Sequence, residues 1–346
     1  MATCALIPTI TLTKETDSEA HIIPSALGGI LAPRGILSSE ANGRLNTLVD
    51  NPLIRGWQPL MQLIGGTRDR GKPGTLRMRA ADGRIYVDRG VGYIAPEKPM
   101  MSIRPLDDDR VLLEVEAGNS KQLRQGLERA RTQLPDLDVE AAMRQAELGY
   151  HPVNELLTVT QGIGATIEFP AAFVAASLFA LHHGFAPHPG FTDYVECLRQ
   201  GQGEHPPLPP DTFYWHHGPD PWKVTAATVP HVVVLHASAA RKAMIVSLAY
   251  FNASCIAVTL PFQGQTEEWR THGVDVLTGK KADVVPDRGA FASRPWSASH
   301  APEGPDDLGE RITRVVDASR PHKRAQCLIA AAERHRRVLL SSDNFL

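Results

Sequence analysis

The chain has 346 residues, with 36 Lys or Arg against 38 Asp or Glu, a length that indicates two domains or one elaborated domain. Its 42% hydrophobic and 21% charged residues are enough for a sizeable core and exclude a disordered chain. The formal net charge of −2 excludes a globally basic, histone-like binder, but not a local basic surface.

The first 60 residues combine short apolar runs with Pro and Gly. Ile36 and Leu37 are typical of the end of a short strand, and Ser38 then offers an N-cap for a helix. Apolar residues follow at helical spacing; they are Ala41, Leu45, Leu48 and Val49.

Residues 74–118 alternate between apolar and polar side chains, which predicts an antiparallel meander of strands. Asp82-Gly83 is a hairpin turn signal between two of these strands. From Asn119 to about Tyr150 the pattern becomes helical, and Pro135 divides it into two helices.

The second half begins with the most apolar helix of the chain, predicted from Pro170 to His183. Three apolar runs predict the strands of a central sheet; they are 231–236, 244–251 and 254–260. Residues 263–310 are weakly patterned and predict loops, and a basic helix is expected from about Lys323 to Leu340.

These elements predict an α+β protein divided into residues 1–60, 61–118 and 119–346. No run reaches the roughly 18–20 apolar residues that span a bilayer, so we expect no membrane segment. The first 24 residues lack the features of a signal peptide, so we expect a cytoplasmic protein. The cysteines are isolated, which excludes a disulfide framework and a complete zinc knuckle; they are Cys4, Cys197, Cys255 and Cys327.

The segment from Ser18 to Gly29 carries the clearest chemistry. His21 follows a short strand, Asn42 comes 21 residues later on the first turn of a helix, and Asp50 lies eight residues beyond. This ββα layout can bring an imidazole and an amide oxygen to one divalent cation. Phosphodiester hydrolysis needs a base for water and a cation for the phosphate charge. Histidine suits the first role at neutral pH, and Asn and Asp oxygens suit Mg²⁺.

These residues resemble the HNH (His-Me finger) endonucleases, in particular a bacterial and phage branch. Its motif reads Glu-His-Ile-Ile-Pro, then Leu-Gly-Gly, Cys-x-x-Cys-Asn, and an Asp some eight residues on. The chain carries His21-Ile-Ile-Pro24, Leu27-Gly-Gly29, Asn42 and Asp50, and the close match covers about residues 4–55.

The resemblance implies an N-terminal ββα metal finger within residues 1–60, followed by a larger mixed antiparallel-sheet and helix region. His21 would be the general base and Asn42 a ligand of one Mg²⁺ or Mn²⁺. Asp50 would be a third position near the metal or a structural partner, and Glu19 would assist through water. The implied activity is DNA cleavage, with double-stranded DNA as the partner, in phage defence, restriction or mobile elements.

The chain departs from the family motif at the acidic ligand, where Ala20 precedes the histidine. Glu19 is adjacent, but strand alternation places it on the other face. Of the four family cysteines only Cys4 remains, so no structural zinc is expected; the other three positions hold Ile7, Ser38 and Ala41. The alternative is therefore a catalytically degenerate finger that binds nucleic acid or a protein.

Between Asn42 and Ala80 seven basic residues stand against two acidic ones. Such a surplus is what phosphate contacts use, although each residue could equally be part of a solvated face. The candidates for phosphate contact are Arg44, Arg68, Arg70 and Lys72. The C-terminal region is open to a homodimer contact or a regulatory partner.

Overall fold

The structure is a computed structural model of the chain. It describes residues 2–68, 74–89, 94–106, 111–146, 157–159, 162–201, 207–215, 220–294, 296–297 and 308–342, the last twelve of them by backbone alone. The described part combines helices with antiparallel sheets, so the α+β class is confirmed.

The chain forms two compact units. The first comprises Met1–Lys72 and Gln161–Arg324, and the second comprises Pro73–Thr160 and Ala325–Leu346. The N-terminal segment with His21 therefore shares one unit with most of the second half of the chain.

The first unit begins with two short antiparallel strands, β1 (Asp17–Ser18) and β2 (Leu37–Ser38). A 3-10 turn, Ser25–Leu27, lies in the excursion between them. Helix α1 (Ser39–Leu45) follows, and the Ser38 hydroxyl caps it by accepting a hydrogen bond from the Ala41 amide at 3.2 Å. The predicted cap is confirmed.

The helix continues beyond α1 with an irregularity. A π-turn, Asn46–Asp50, connects α1 to α2 (Asn51–Ile64), and all the joining residues keep right-handed helical backbone angles. Pro52 accounts for the π-turn, because its missing N–H and its ring disturb the helical bond to the carbonyl four residues earlier.

A seven-stranded antiparallel sheet forms the centre of the first unit, in the order β10-β15-β14-β11-β12-β13-β9. Its strands are β9 (Thr212–Tyr214), β10 (Trp222–Thr225), β11 (Pro230–Ser238), β12 (Ala243–Tyr250), β13 (Ser254–Pro261), β14 (Glu268–Asp275) and β15 (Lys280–Pro286). The three predicted apolar strands are confirmed as β11, β12 and β13.

The prediction of loops over residues 263–310 is wrong, because β14 and β15 form there. The β14 sequence, Glu-Trp-Arg-Thr-His-Gly-Val-Asp, is too polar to give a strand pattern. It becomes a strand because β11 and β15 pair with its two edges and satisfy its backbone groups. The short helix α7 (Arg288–Ala292) also lies in this stretch.

Helix α5 (Ala165–His182) packs on the sheet, and α6 (Phe191–Arg199) packs against α5 through Phe191 and Tyr194. Helix α5 begins five residues before the predicted start at Pro170, and it is buried on almost every side. An apolar helix of this kind belongs in a core. By length and composition α5 is also the one described helix that could cross a membrane, and 72% of it is buried inside the fold.

The second unit contains a four-stranded sheet in the order β5-β4-β3-β8 and a two-stranded sheet, β6-β7. Its elements are β3 (Leu76–Ala80), β4 (Ile85–Asp88), β5 (Ile94–Pro96), β6 (Met100–Pro105), β7 (Val111–Glu116), α3 (Ser120–Ala130), α4 (Val139–Gln145) and β8 (Leu157–Thr158). The pair of helices is confirmed, and the predicted meander is found for β3, β4 and β5, whereas β6 and β7 form a sheet of their own.

The last helix, α8 (Leu308–Ser342), contains Pro321. The predicted start near Lys323 is wrong, because the helix begins at Leu308 and continues through Pro321. A proline inside a helix is unfavourable, but the turns before this one are stabilised by packing. Before Pro321 the helix places Ile312, Val315 and Val316 against the core of the first unit.

Candidate functional site

His21, Asn42 and Asp50 lie around one pocket in the first unit. Its empty volume is about 310 Å³, part of it open to solvent. The pocket has an apolar wall from α5 and further apolar residues from the N-terminal segment. The full lining consists of His21, Ile22, Pro24, Asn42, Leu45, Asp50, Leu53, Ala171, Val174, Ala175, Leu178 and Tyr250.

His21 is presented by an extended segment that is held on both sides of the residue. The amide of Ala20 donates to Pro33 at 3.2 Å, and the amide of Ile22 donates to Leu31 at 3.0 Å. His21 itself is half-buried, so its ring belongs to the wall of the pocket nearer the solvent.

The turn after this segment requires both of its glycines. Gly28 has φ +92°, a backbone conformation that favours glycine. A Cβ on Gly29 would lie only 1.9 Å from the Ile23 carbonyl oxygen. The Leu-Gly-Gly part of the motif is therefore a packing requirement of the loop that carries His21.

Asn42 connects α1 to the strand before His21. Its side-chain Nδ2 donates to the Ser18 hydroxyl at 3.0 Å and to the Glu19 carbonyl at 3.1 Å. Among the described residues none donates a hydrogen bond to its Oδ1, which is left for another partner at the pocket. The amide group thus holds the ββα segment together and keeps one oxygen available.

The π-turn determines where Asp50 points. In an uninterrupted α-helix eight residues turn about 800°, which would place Asp50 about 80° around the axis from Asn42. A π-turn absorbs one extra residue, so the same eight residues turn roughly as far as seven, about 700°, and the two side chains share a face. Both line the pocket accordingly.

Asp50 is half-buried where it lines the pocket, and the removal of water from its carboxyl group raises its pKa to about 7. None of the described residues donates a hydrogen bond to it or pairs with it. A buried carboxylate without a partner is costly unless a cation or a donor joins it.

Tyr250, the last residue of β12, lines the same pocket. It stands 200 residues after Asp50 within an apolar strand, and no sequence signal distinguished it from a core tyrosine. Its ring packs on Trp57 with centroids 6.4 Å apart and on His231 with centroids 6.2 Å apart.

His231 joins the pocket loop to the sheet. Its Nε2 donates to the Leu27 carbonyl at 2.7 Å, and its Nδ1 accepts from the Phe251 amide at 3.0 Å. Complete burial lowers the pKa of His231 to about 4, so the ring stays neutral and keeps both bonds. Sequence analysis missed this residue, which looked like one polar position in a valine-rich strand.

The other predicted residues that the structure describes lie outside the pocket lining. The Glu19 carboxylate accepts a bond from Arg34 at 2.9 Å, and Arg44 pairs with Glu40 along α1. Arg68 is half-buried, and burial lowers the pKa of its guanidinium. Arg70 and Lys72 lie outside the described residues.

Cys4 serves as a hydrogen-bond acceptor beside β2. Its Sγ accepts from the Ser38 amide at 3.3 Å and from the Ile7 amide at 3.4 Å. Ser38 in turn caps α1 at Ala41. The four positions that correspond to cysteines in the HNH motif are therefore adjacent, and the contacts that the structure shows there are protein hydrogen bonds.

The donor set of the pocket suits a hard divalent cation. Within the described part of the chain no three His, Cys, Asp or Glu side chains form a metal-binding group by themselves. The Asp50 carboxylate and the Asn42 amide oxygen are both available, however, and Mg²⁺ commonly takes one or two protein oxygens and keeps several waters.

Comparison with known proteins adds no relative: no family model, no curated protein and no solved structure matches the chain. The case for a function rests on the geometry of the pocket.

Proposed function

We propose that the protein is a metal-dependent endonuclease that hydrolyses DNA phosphodiester bonds. The observation that carries the proposal is the convergence of His21, Asn42 and Asp50 on one pocket. An imidazole beside two unpartnered hard oxygens is what such hydrolysis needs.

In this proposal His21 accepts a proton from the attacking water. The Asn42 amide oxygen and the Asp50 carboxylate hold one Mg²⁺ or Mn²⁺. The ion, when bound, neutralises charge on the scissile phosphate and on the leaving oxygen. Glu19 would act through water, and Arg44, Arg68, Arg70 and Lys72 would contact phosphates outside the pocket.

The wider setting of the proposal follows the resemblance to HNH nucleases. Double-stranded DNA is the proposed substrate, and phage defence, restriction or a mobile element is the proposed context. A cytoplasmic location and either a homodimer or a regulatory partner belong to the same proposal.

One observation favours a second candidate, a degenerate finger that binds nucleic acid or a protein without cutting. The position of the family's acidic ligand holds Ala20, which is 1% exposed, and the neighbouring Glu19 carboxylate is already bonded to Arg34. Among the residues that line the pocket, Asn42 and Asp50 are then the two whose side-chain oxygens can bind a metal ion.

Nicking of supercoiled plasmid DNA with Mg²⁺ or Mn²⁺ separates the two candidates. The intact chain should nick the plasmid, and His21→Ala should reduce the rate by about 100-fold or more, because a general base contributes that much. The matched control is His182→Ala at the end of α5, which lies outside the pocket lining and should keep the rate.

The other outcomes are equally informative. Equal nicking by the intact chain and His21→Ala would contradict the assigned base. DNA binding without nicking under either metal would favour the degenerate finger.

A further inference from the structure

The pocket contains one buried polar group that the proposed chemistry does not use, the hydroxyl of Tyr250. The residue is 1% exposed, and among the described residues none forms a hydrogen bond with this hydroxyl. Burying a hydroxyl without a partner costs free energy, so such a group at a pocket indicates a partner that the protein chain itself does not supply.

The position of Tyr250 is firmly determined. The strand turns directly after it through Phe251 and Asn252, whose φ angles of +55° and +53° give the tight turn of a β-hairpin. The Phe251 amide is bonded to His231, and Trp57 packs against the tyrosine ring. The tyrosine ring therefore has little freedom to move within the pocket wall.

Tyr250 interacts electrostatically with the buried Glu168 of α5 and, more weakly, with Asp50. Among the described residues neither carboxyl group forms a hydrogen bond with its hydroxyl, and of the two only Asp50 lines the pocket. Tyr250 and Asp50 thus line the same pocket, and neither oxygen group has a hydrogen-bond partner among the described residues. A water can bridge two such groups if it has several polar partners. A water held on a cation at Asp50 satisfies this condition, because the ion supplies a further bond.

We propose that the Tyr250 hydroxyl binds a water of the cation's hydration shell, and that the central sheet thereby contributes an outer-sphere residue to the metal site. This rests on the proposed function, since it requires the cation at Asn42 and Asp50. Outer-sphere partners orient the inner ligands and waters, and their loss commonly costs 10- to 100-fold in metal affinity.

Three variants of the full chain test this inference. Tyr250→Phe removes only the hydroxyl oxygen and leaves the ring that packs on Trp57. Tyr194→Phe is the matched control, because the Tyr194 hydroxyl is buried without a hydrogen-bond partner and the residue lies outside the pocket lining. Asp50→Asn removes a proposed metal ligand and shows the result expected when the metal site itself is lost.

The measurement is calorimetric titration of each EDTA-treated protein with MnCl₂, together with thermal unfolding in EDTA and in Mn²⁺. The intact chain and Tyr194→Phe should bind one Mn²⁺ with affinities within about twofold. Tyr250→Phe should bind about 10- to 100-fold more weakly, and Asp50→Asn should show no measurable binding. In EDTA, Tyr250→Phe should unfold at or above the temperature of the intact chain, because an unpartnered hydroxyl is removed.

Each contrary result has a distinct meaning. If Tyr250→Phe unfolds earlier in EDTA and binds Mn²⁺ as the intact chain does, the hydroxyl is a structural group and the inference is wrong while the metal site stands. If the intact chain binds no Mn²⁺, or if Asp50→Asn binds it equally well, the proposed metal site is wrong and the inference falls with it.

Discussion

At the scale of single residues, the environment of Gly29 is the most restrictive one beside the pocket. A Cβ at this position would overlap the Ile23 carbonyl, which belongs to the same loop as His21. The neighbouring Gly28 adopts a left-handed backbone and cannot easily shift to make room. The loop conformation, and with it the position of His21, depends on this close contact.

Gly29→Ala should therefore lower the free energy of unfolding by about 1–3 kcal/mol, because the methyl group forces the backbone apart. Gly43→Ala is the control, since Gly43 is an exposed helix residue with open space around its Cβ. It should raise the free energy of unfolding by about 0.5–1 kcal/mol. Urea denaturation of both variants checks the prediction, and two effects of the same sign would contradict it.

At the scale of elements, the helical stretch from Ser39 to Ile64 builds the pocket together with the segment that carries His21, helix α5 and the end of β12. Apolar spacing predicted the first turns of the helix, and Ser38 predicted where it begins. The spacing of apolar residues does not predict the π-turn, which Pro52 causes by interrupting the helical hydrogen bonds. Without this turn Asp50 would lie about 80° around the helix axis from Asn42.

His231 ties these elements together, and its titration predicts an acid-sensitive fold. Its pKa is about 4 in the folded protein against an ordinary value of 6.5, so the unfolded chain binds the extra proton first. The contribution to stability is complete above about pH 6.5 and is lost as the pH falls toward 4, by up to about 3 kcal/mol. His272 and His183 also have pKa values lowered to about 4 by burial and act in the same direction. Asp50 acts in the opposite direction, because its pKa is raised to about 7 and its protonation favours the folded state.

Guanidinium denaturation of the intact chain and of His231→Asn at pH 7.5, 5.5 and 4.5 measures this contribution. The variant should be less stable at pH 7.5, because it loses bonds to Leu27 and Phe251, but its stability should fall less between pH 7.5 and 4.5. Parallel curves for the two proteins would show that His231 does not cause the acid sensitivity.

At the scale of the whole molecule, the larger of two apolar clusters in the first unit joins the segments that build the pocket. It includes Leu45, Leu53 and Trp57 from the N-terminal segment, and it continues through α5 into the inner face of the sheet. The pocket is completed by α5 and by Tyr250, which are far from His21 in the sequence. The N-terminal segment therefore contributes only part of this apolar cluster and only part of the pocket lining.

A fragment of residues 1–68 should therefore show no cooperative thermal transition and no Mn²⁺ binding, although the resemblance to a finger domain covers most of it. A chain of this length buries little surface, and its apolar helix face would be left in water. Circular dichroism melting beside the intact chain checks this expectation. Cooperative unfolding of the fragment would show that the finger folds on its own.

The sequence by itself determined the α+β class, the apolar helix and strands, the Ser38 cap and the candidate residues His21, Asn42 and Asp50. These follow from local signals, because caps, turns and apolar periodicity act over a few residues. Only the tertiary structure decided that the three residues share a pocket, that polar β14 is a strand, and that Tyr250 and His231 belong to the site. Those features depend on the π-turn and on contacts between segments about 200 residues apart. Such contacts cannot be predicted from the spacing of apolar and polar residues within one segment.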